Sequence, residues 1–125
     1  ALEAEEHAVT EVGALLERQG LSPATPAELA EETGIERAIV AKALTRLAAE
    51  GAIVRVAGDL HFSRSALEGA REAIAAFLAQ HGRATAAQLR DVLGVSRKYV
   101  IPLLEHFDAQ GLTKRDGDER VLRGS

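Results

Sequence analysis

Residues Thr25–Gly51 read TPAELAEETGIERAIVAKALTRLAAEG, and residues Thr85–Gly111 read TAAQLRDVLGVSRKYVIPLLEHFDAQG. Set at an offset of 60 residues they align without a gap, with Thr25 on Thr85, Leu29 on Leu89, Gly34 on Gly94 and Gly51 on Gly111. Two copies are too few for a solenoid, so the pattern is that of a duplicated small domain. Within each stretch the first helix is short, Pro26–Glu32 and Ala86–Leu93. Thr25 and Thr85 stand where a hydroxyl accepts from free first-turn amides, and Glu28 and Gln88 three residues on complete a capping box. Gly34 and Gly94 turn the chain into a second helix. Its apolar stripe is Val40, Ala43, Leu44 and Leu47 in one copy and Val100, Leu103, Leu104 and Phe107 in the other, an i, i+3, i+4, i+7 spacing that needs a core to face.

Outward from this pair, a longer helix precedes each copy. Ala4–Gln19 carries Ala8, Val12, Leu15 and Leu16 at helical spacing; Ala66–Gln80 carries Leu67, Ala70, Ile74, Phe77 and Leu78. Gly20 and Gly82 stop them. After Gly51 and Gly111 come two β-like runs around a tight polar turn: AIVRV–AGD–LHFS (Ala52–Ser63) and LTKR–DGDE–RVLR (Leu112–Arg123). Asp116-Gly117 is the stronger two-residue turn signal and Gly58-Asp59 the weaker. Three helices, the last two in a tight helix-turn-helix, followed by a β-hairpin make a winged helix. The expected fold is therefore mainly α with short β-hairpins (α+β), as two tandem winged-helix domains at 1–64 and 65–125. The short connection implies that the second copy's first helix starts directly after the first wing, giving a fairly rigid pair.

Composition sets the outer limits. The chain has 125 residues, 46% apolar and 27% charged, which suits one ordinary domain or two very small ones and argues against disorder. No apolar run approaches the ~20 residues that span a bilayer, and no signal peptide is visible. The absence of cysteine removes disulfides, thiolate metal sites and cysteine nucleophiles, and fits a cytoplasmic setting. A chain that opens on Ala1 and contains no Met reads as a piece cut from a longer protein. No phosphate-cradling glycine loop, GxSxG or HExxH occurs, and His7, His61, His81 and His106 are scattered without metal-ligand spacing. The expectation is a non-enzyme without metal or cofactor.

Net charge is −4, but it is unevenly spread. Residues 1–63 hold 5 Lys/Arg against 11 Asp/Glu, and residues 64–125 hold 10 against 8. In the second copy Ser96 is placed to cap the third helix, and Arg97, Lys98 and Tyr99 follow at once. The wing adds Lys114, Arg115, Arg120 and Arg123 among Asp116, Asp118 and Glu119. These cations either form surface pairs with those acids or grip a phosphate ligand beside the helix N-terminus. Strand alternation forbids all four wing cations from pointing one way. Tyr99 is either a half-buried flank residue or a platform for a base or phosphate. Pro102 removes the helix bond to the Lys98 carbonyl, so the helix bends there or its first turn is set apart, and in both cases the Arg97–Tyr99 turn becomes a separately aimed tip. In the first copy Glu36 replaces Ser96, Ala38 replaces Lys98 and Val54 replaces Lys114, so its expected role is a spacer or a protein contact.

The run SRKYVIPLLEHFDAQGLTKRDGDERVLR (Ser96–Arg123), with SRKY, IPLLEHFD, GLTKR and GDERVLR in order, resembles the last winged-helix domain of the SelB-type selenocysteine-specific elongation factors. The acidic first copy resembles the domain before it. The resemblance implies the distal pair of a four-domain arm whose last member grips an mRNA hairpin (a SECIS element) beside a UGA codon. It further implies that Arg97, Lys98, Tyr99, Arg115, Arg120 and Arg123 face that hairpin, while Gly117 and Asp118 shape the wing tip. GTP, the ribosome and selenocysteyl-tRNA would be served by parts outside this chain, which is expected to be monomeric and to have no membrane partner. Two other classes compete: a winged-helix DNA-binding transcription regulator, and a protein-interaction scaffold of tandem winged helices.

Overall fold

The computed structural model describes residues 2–124. The chain divides between Leu67 and Glu68 into two compact units. The first unit contains α1 (Leu2–Gln19), α2 (Pro26–Thr33), α3 (Arg37–Ala49), β1 (Ile53–Ala57) and β2 (Leu60–Ser63). Then come α4 (Arg64–His81), β3 (Ala84–Thr85), α5 (Ala86–Leu93), α6 (Arg97–Ala109), β4 (Thr113–Asp116) and β5 (Glu119–Leu122). Helix, helix-turn-helix and antiparallel hairpin recur in that order, the winged-helix plan expected from the duplicated stretch. Both long helices begin two residues before the periodicity implies. α4 does so because the Ser63 hydroxyl, buried at the end of β2, accepts from the Ala66 amide at 3.2 Å and caps the helix.

The capping boxes form in both copies. Thr25 Oγ1 accepts from the Glu28 amide at 3.3 Å while Glu28 accepts from the Thr25 amide at 2.8 Å; the Thr85–Gln88 pair repeats this at 3.1 and 2.8 Å. Gly34 and Gly94 take the left-handed conformation, φ 71° and 68°, that lets the chain reverse into the next helix without a Cβ clash. The first core gathers Val12, Leu16, Leu29, Val40, Leu44, Leu47 and Ile53. In the second unit Ile74, Leu78, Leu89, Val100, Leu103, Leu104 and Phe107 are buried, and α5 packs on α6. Leu15 and Phe77 sit at the margins instead; Phe77 stacks on the His81 ring at a centroid distance of 4.2 Å.

The wings differ in strand number and in a bulge, and the second turn falls one residue later than the sequence reading placed it. The first is a two-stranded ribbon, whereas the second is the three-stranded order β3-β5-β4, because the two residues before α5 pair with β5. The second turn is Gly117–Asp118 and not Asp116–Gly117: Asp116 pairs with Glu119 and belongs to the strands. Gly117 takes the turn's positive φ of 67°. The first ribbon bulges between Arg55 and Ala57, so beyond the bulge the offset between the copies falls to 59. Arg55 faces His61 there, as Arg115 faces Arg120 in the second unit.

Candidate nucleic-acid interface

α6 presents Arg97 and Lys98 to solvent from its first turn, with Val100, Leu103, Leu104 and Phe107 turned inward. Ser96 occupies the N-cap position in extended conformation, yet its side chain makes no capping bond. The Tyr99 amide, which a cap hydroxyl would take, donates instead to the Ser96 carbonyl at 3.1 Å. The capping expectation for Ser96 is thus corrected, and its exposed side chain stands beside the cations. The Lys98 ammonium lies 5.3 Å from the Tyr99 ring centroid. This cation–π contact occupies one face of a half-buried ring, so a stacked base would use the other face or displace the ammonium. Pro102 lies inside a single unbroken helix of 13 residues, the same length as α3. The first turn is therefore not set apart by a break in the helix.

The wing sorts its charges by face. Cross-strand partners share a face, so Arg115 and Arg120 lie on one side with Thr113 and Leu122, and Lys114 lies on the other with Val121, Asp116 and Glu119. Thr113 is buried, and Arg120, at 6% exposure, is buried with it. The Arg120 guanidinium donates to Asp108 Oδ2 from Nη2 at 2.8 Å and from Nε at 3.3 Å. Arg120 is therefore corrected from a ligand-facing cation to an interior one: it lies one strand pair from the turn, on the face that packs inward. Leu122, two residues further on the same face, was the signal that could have found it.

Arg83 was missed. Just before β3, it donates to Glu119 at 2.8 Å and to Asp116 at 3.3 Å. Those two carboxylates raise its pKa above the ordinary value, Glu119 contributing most. Two of the three wing acids are thereby neutralised in place. Among the described residues Arg97, Lys98, Lys114, Arg115 and Arg123 are exposed and make no ion pair, and Asp118 is the wing acid without one. Arg115 spends only its Nε, on the Gly117 carbonyl at 2.9 Å, which stiffens the tip and leaves the outer guanidinium nitrogens facing water. The five open cations form two clusters, the first turn of α6 and the wing. Thirteen helical residues at 1.5 Å each separate the ends of α6 by roughly 20 Å.

The first unit keeps only part of this set: Arg37 and Arg55 stand exposed at the positions of Arg97 and Arg115, while Ala38 and Val54 replace Lys98 and Lys114. α3 shows solvent Arg37, Ala38, Ala41 and Lys42, and Arg46 is held by Glu6 and Glu50 at 3.2 Å each. Its Arg55 repeats the tip bond of Arg115, donating to Gly58 at 2.7 Å. No group of three or more His, Cys, Asp or Glu among the described residues could hold a metal ion, and no helix there is long and apolar enough to cross a membrane.

Two helix-turn-helix units with wings, one bearing an open cationic face, define a tandem winged-helix module. The family model for the winged helix of elongation factor SelB matches residues 76–122. The solved mRNA-binding domain of elongation factor SelB from E. coli, in complex with SECIS RNA, superimposes with a TM-score of 0.78 at 30% identity, covering 94% of this chain and 98% of that one. The chain belongs to the SelB family of selenocysteine-specific elongation factors. The factor of Escherichia coli K12 is 33% identical over 96 residues, 77% of this chain, and that of Desulfomicrobium baculatum 29% over 104 residues, 83% of it. The crystal structure of a bacterial selenocysteine-specific elongation factor gives a TM-score of 0.73 at 25% identity over 98% of this chain and 19% of its own. The chain spans about 16% of the length of the curated relatives it matches.

Proposed function

We propose that this chain is the part of a selenocysteine-specific elongation factor that captures an mRNA hairpin of the SECIS type, with the second unit as its reading head. The observation that carries this is an asymmetry of open cations: Arg97, Lys98, Lys114, Arg115 and Arg123 stand unpaired in one unit, while the other keeps only Arg37 and Arg55 at the matching helix and wing positions within an acidic half, 5 Lys/Arg against 11 Asp/Glu in residues 1–63. An A-form stem has a major groove too deep and narrow for a helix, so two separated cationic clusters suit phosphates on either side of a loop whose bases are exposed. The solved SelB domain with SECIS RNA supports the same ligand class. In this reading Ser96 and Tyr99 join the first cluster, and Gly117 and Asp118 shape the wing tip. The chain works in the cytoplasm as a monomer, without catalysis or cofactor of its own; GTP hydrolysis and the contacts with ribosome and selenocysteyl-tRNA belong to other parts of the factor.

The test is a titration of the chain with a stem-loop RNA, the matching linear strand and a duplex DNA of equal length. Tight binding is expected for the hairpin alone, weakening steeply with salt as counterions are released. Arg97→Ala and Arg115→Ala should each weaken it, by roughly five- to fifty-fold on the scale of a lost charged contact. Arg37→Ala and Arg55→Ala, their counterparts in the first unit, should change it less than two-fold. Equal affinity for duplex DNA, or equal effects of the two pairs, overturns the assignment.

A further inference from the structure

The second wing is bolted to α6 from the inside. Asp108, in the last turn of α6, accepts from Thr113 Oγ1 of β4 at 2.6 Å through Oδ1, and from Arg120 of β5 at 2.8 and 3.3 Å through Oδ2. One carboxylate thus holds one strand with each oxygen. Thr113 is wholly buried and the Arg120 side chain is 7% exposed.

The first unit is a built-in comparison. By helix position and strand register, Asp108, Thr113 and Arg120 correspond to Ala48, Ile53 and His61. There the apolar Ile53 is buried, and among the described residues no ion pair joins α3 to the wing. A cleft of about 370 Å³, lined by residues including Ala48, Arg55, Gly58 and His61, opens between α3 and the wing, and His61 Nδ1 is buried without a partner. The winged-helix framework therefore closes without a charge at this place. A buried ion pair carries a desolvation cost, and apolar residues of similar volume often replace one with no loss of stability. Its presence in the one unit with a cationic wing calls for a reason other than folding. Directional bonds supply one. Apolar packing tolerates small rotations of a ribbon, whereas a carboxylate shared between two strands does not.

We propose that Asp108 is a positioning residue for RNA capture: through Thr113 and Arg120 it fixes the pose of the wing in which Lys114, Arg115 and Arg123 meet the hairpin. Arg120 is given to this interior task and not to phosphate. The inference rests on the hairpin-binding reading above and adds to it a residue that touches no RNA.

The experiment grafts the first unit's own residues onto the second, Asp108→Ala with Thr113→Ile and Arg120→His, in the whole 125-residue chain. Asp108→Asn, which keeps an acceptor for Thr113, serves as the milder variant, and Lys98→Ala as the direct-contact reference. Melting temperature, amide hydrogen exchange and hairpin affinity at several salt concentrations are measured for each. The graft is expected to melt within a few degrees of the parent and to speed exchange of the β4 and β5 amides about ten-fold relative to those of α5 and α6. It should weaken hairpin binding about ten-fold with an unchanged salt slope, and Asp108→Asn should fall between. Lys98→Ala should lower that slope by about one with the wing amides unchanged. Parental affinity in the graft overturns the proposal, and so does a slope lowered by about one, which would make Arg120 itself a phosphate contact. If the parent ignores the hairpin, it is the RNA reading that fails. The exchange data then still decide the wing's anchorage: slow wing amides in the graft overturn it, fast ones uphold it.

Discussion

Arg83 is exposed and lies outside both cationic clusters, yet it sets the sign of the wing's outer face. Asp116 and Glu119 are direct cross-strand partners, an arrangement in which like charges repel, and Arg83 bonds both. Arg83→Ala frees two carboxylates on the face that carries Lys114. Hairpin affinity is expected to fall several-fold near 50 mM salt and to approach the parental value as added salt shortens the Debye length from about 14 Å toward 4 Å. A loss that persists at high salt would instead mark Arg83 as a direct contact; filter binding at four salt concentrations separates the two. Individual side chains were unevenly legible in the sequence. Arg97, Lys98, Lys114, Arg115 and Arg123 are exposed as charge and periodicity implied, because solvation is the default for an unpaired cation. Arg120 and Ser96 were misread for a common reason. Each depends on a partner's position (the Asp108 carboxylate, the Tyr99 amide) that no local pattern encodes.

Among the elements, α6 carries the clearest cost. Pro102 cannot donate to the Lys98 carbonyl, and its ring crowds that turn, yet the helix continues to Ala109. Lys42, the counterpart in α3, shows that a helix of the same length accommodates an ordinary residue here. Pro102→Ala should therefore stabilise the second unit by about 1–3 kcal/mol, read as a higher denaturant midpoint, with hairpin affinity within two-fold of the parent. Lower stability would mean that the packing of the half-buried ring outweighs the restored bond. The elements were largely readable. Capping boxes and apolar stripes are local and periodic, and α5 matches its expected span residue for residue. β3 was not, since two residues have no periodicity and their pairing with β5 is a tertiary fact. The second turn slipped by one residue because Asp116-Gly117 and Gly117-Asp118 are both good turn dipeptides, and only the strand register decides between them.

At the scale of the chain, the duplication is the feature the sequence showed best, since two glycines and a threonine kept at one spacing reflect backbone requirements shared by both copies. What it could not show was which charges face outward. Each unit also carries one histidine whose ring nitrogen is buried without a partner, His61 Nδ1 in the first and His106 Nε2 in the second. Burial, the leading cause for both, holds their pKa below the ordinary 6.5. Below 6.5 the unfolded chain takes up protons that the folded rings refuse, so stability present at pH 7.5 is lost as pH falls toward 5.5. A melting temperature lower by a few degrees at pH 5.5 is expected, and His61→Gln with His106→Gln should flatten that dependence; an equal drop in the double variant would assign it to carboxylates. The sheet order β3-β5-β4 has one more consequence. It leaves β4 as the longer of two outer strands, whose free backbone groups offer a template for another chain, and Lys114 and Arg115 sit on that strand. Positive side chains on an outer strand discourage such pairing. The same two residues thus guard solubility, and a variant stripped of them to abolish RNA capture becomes more prone to self-association through its bare border.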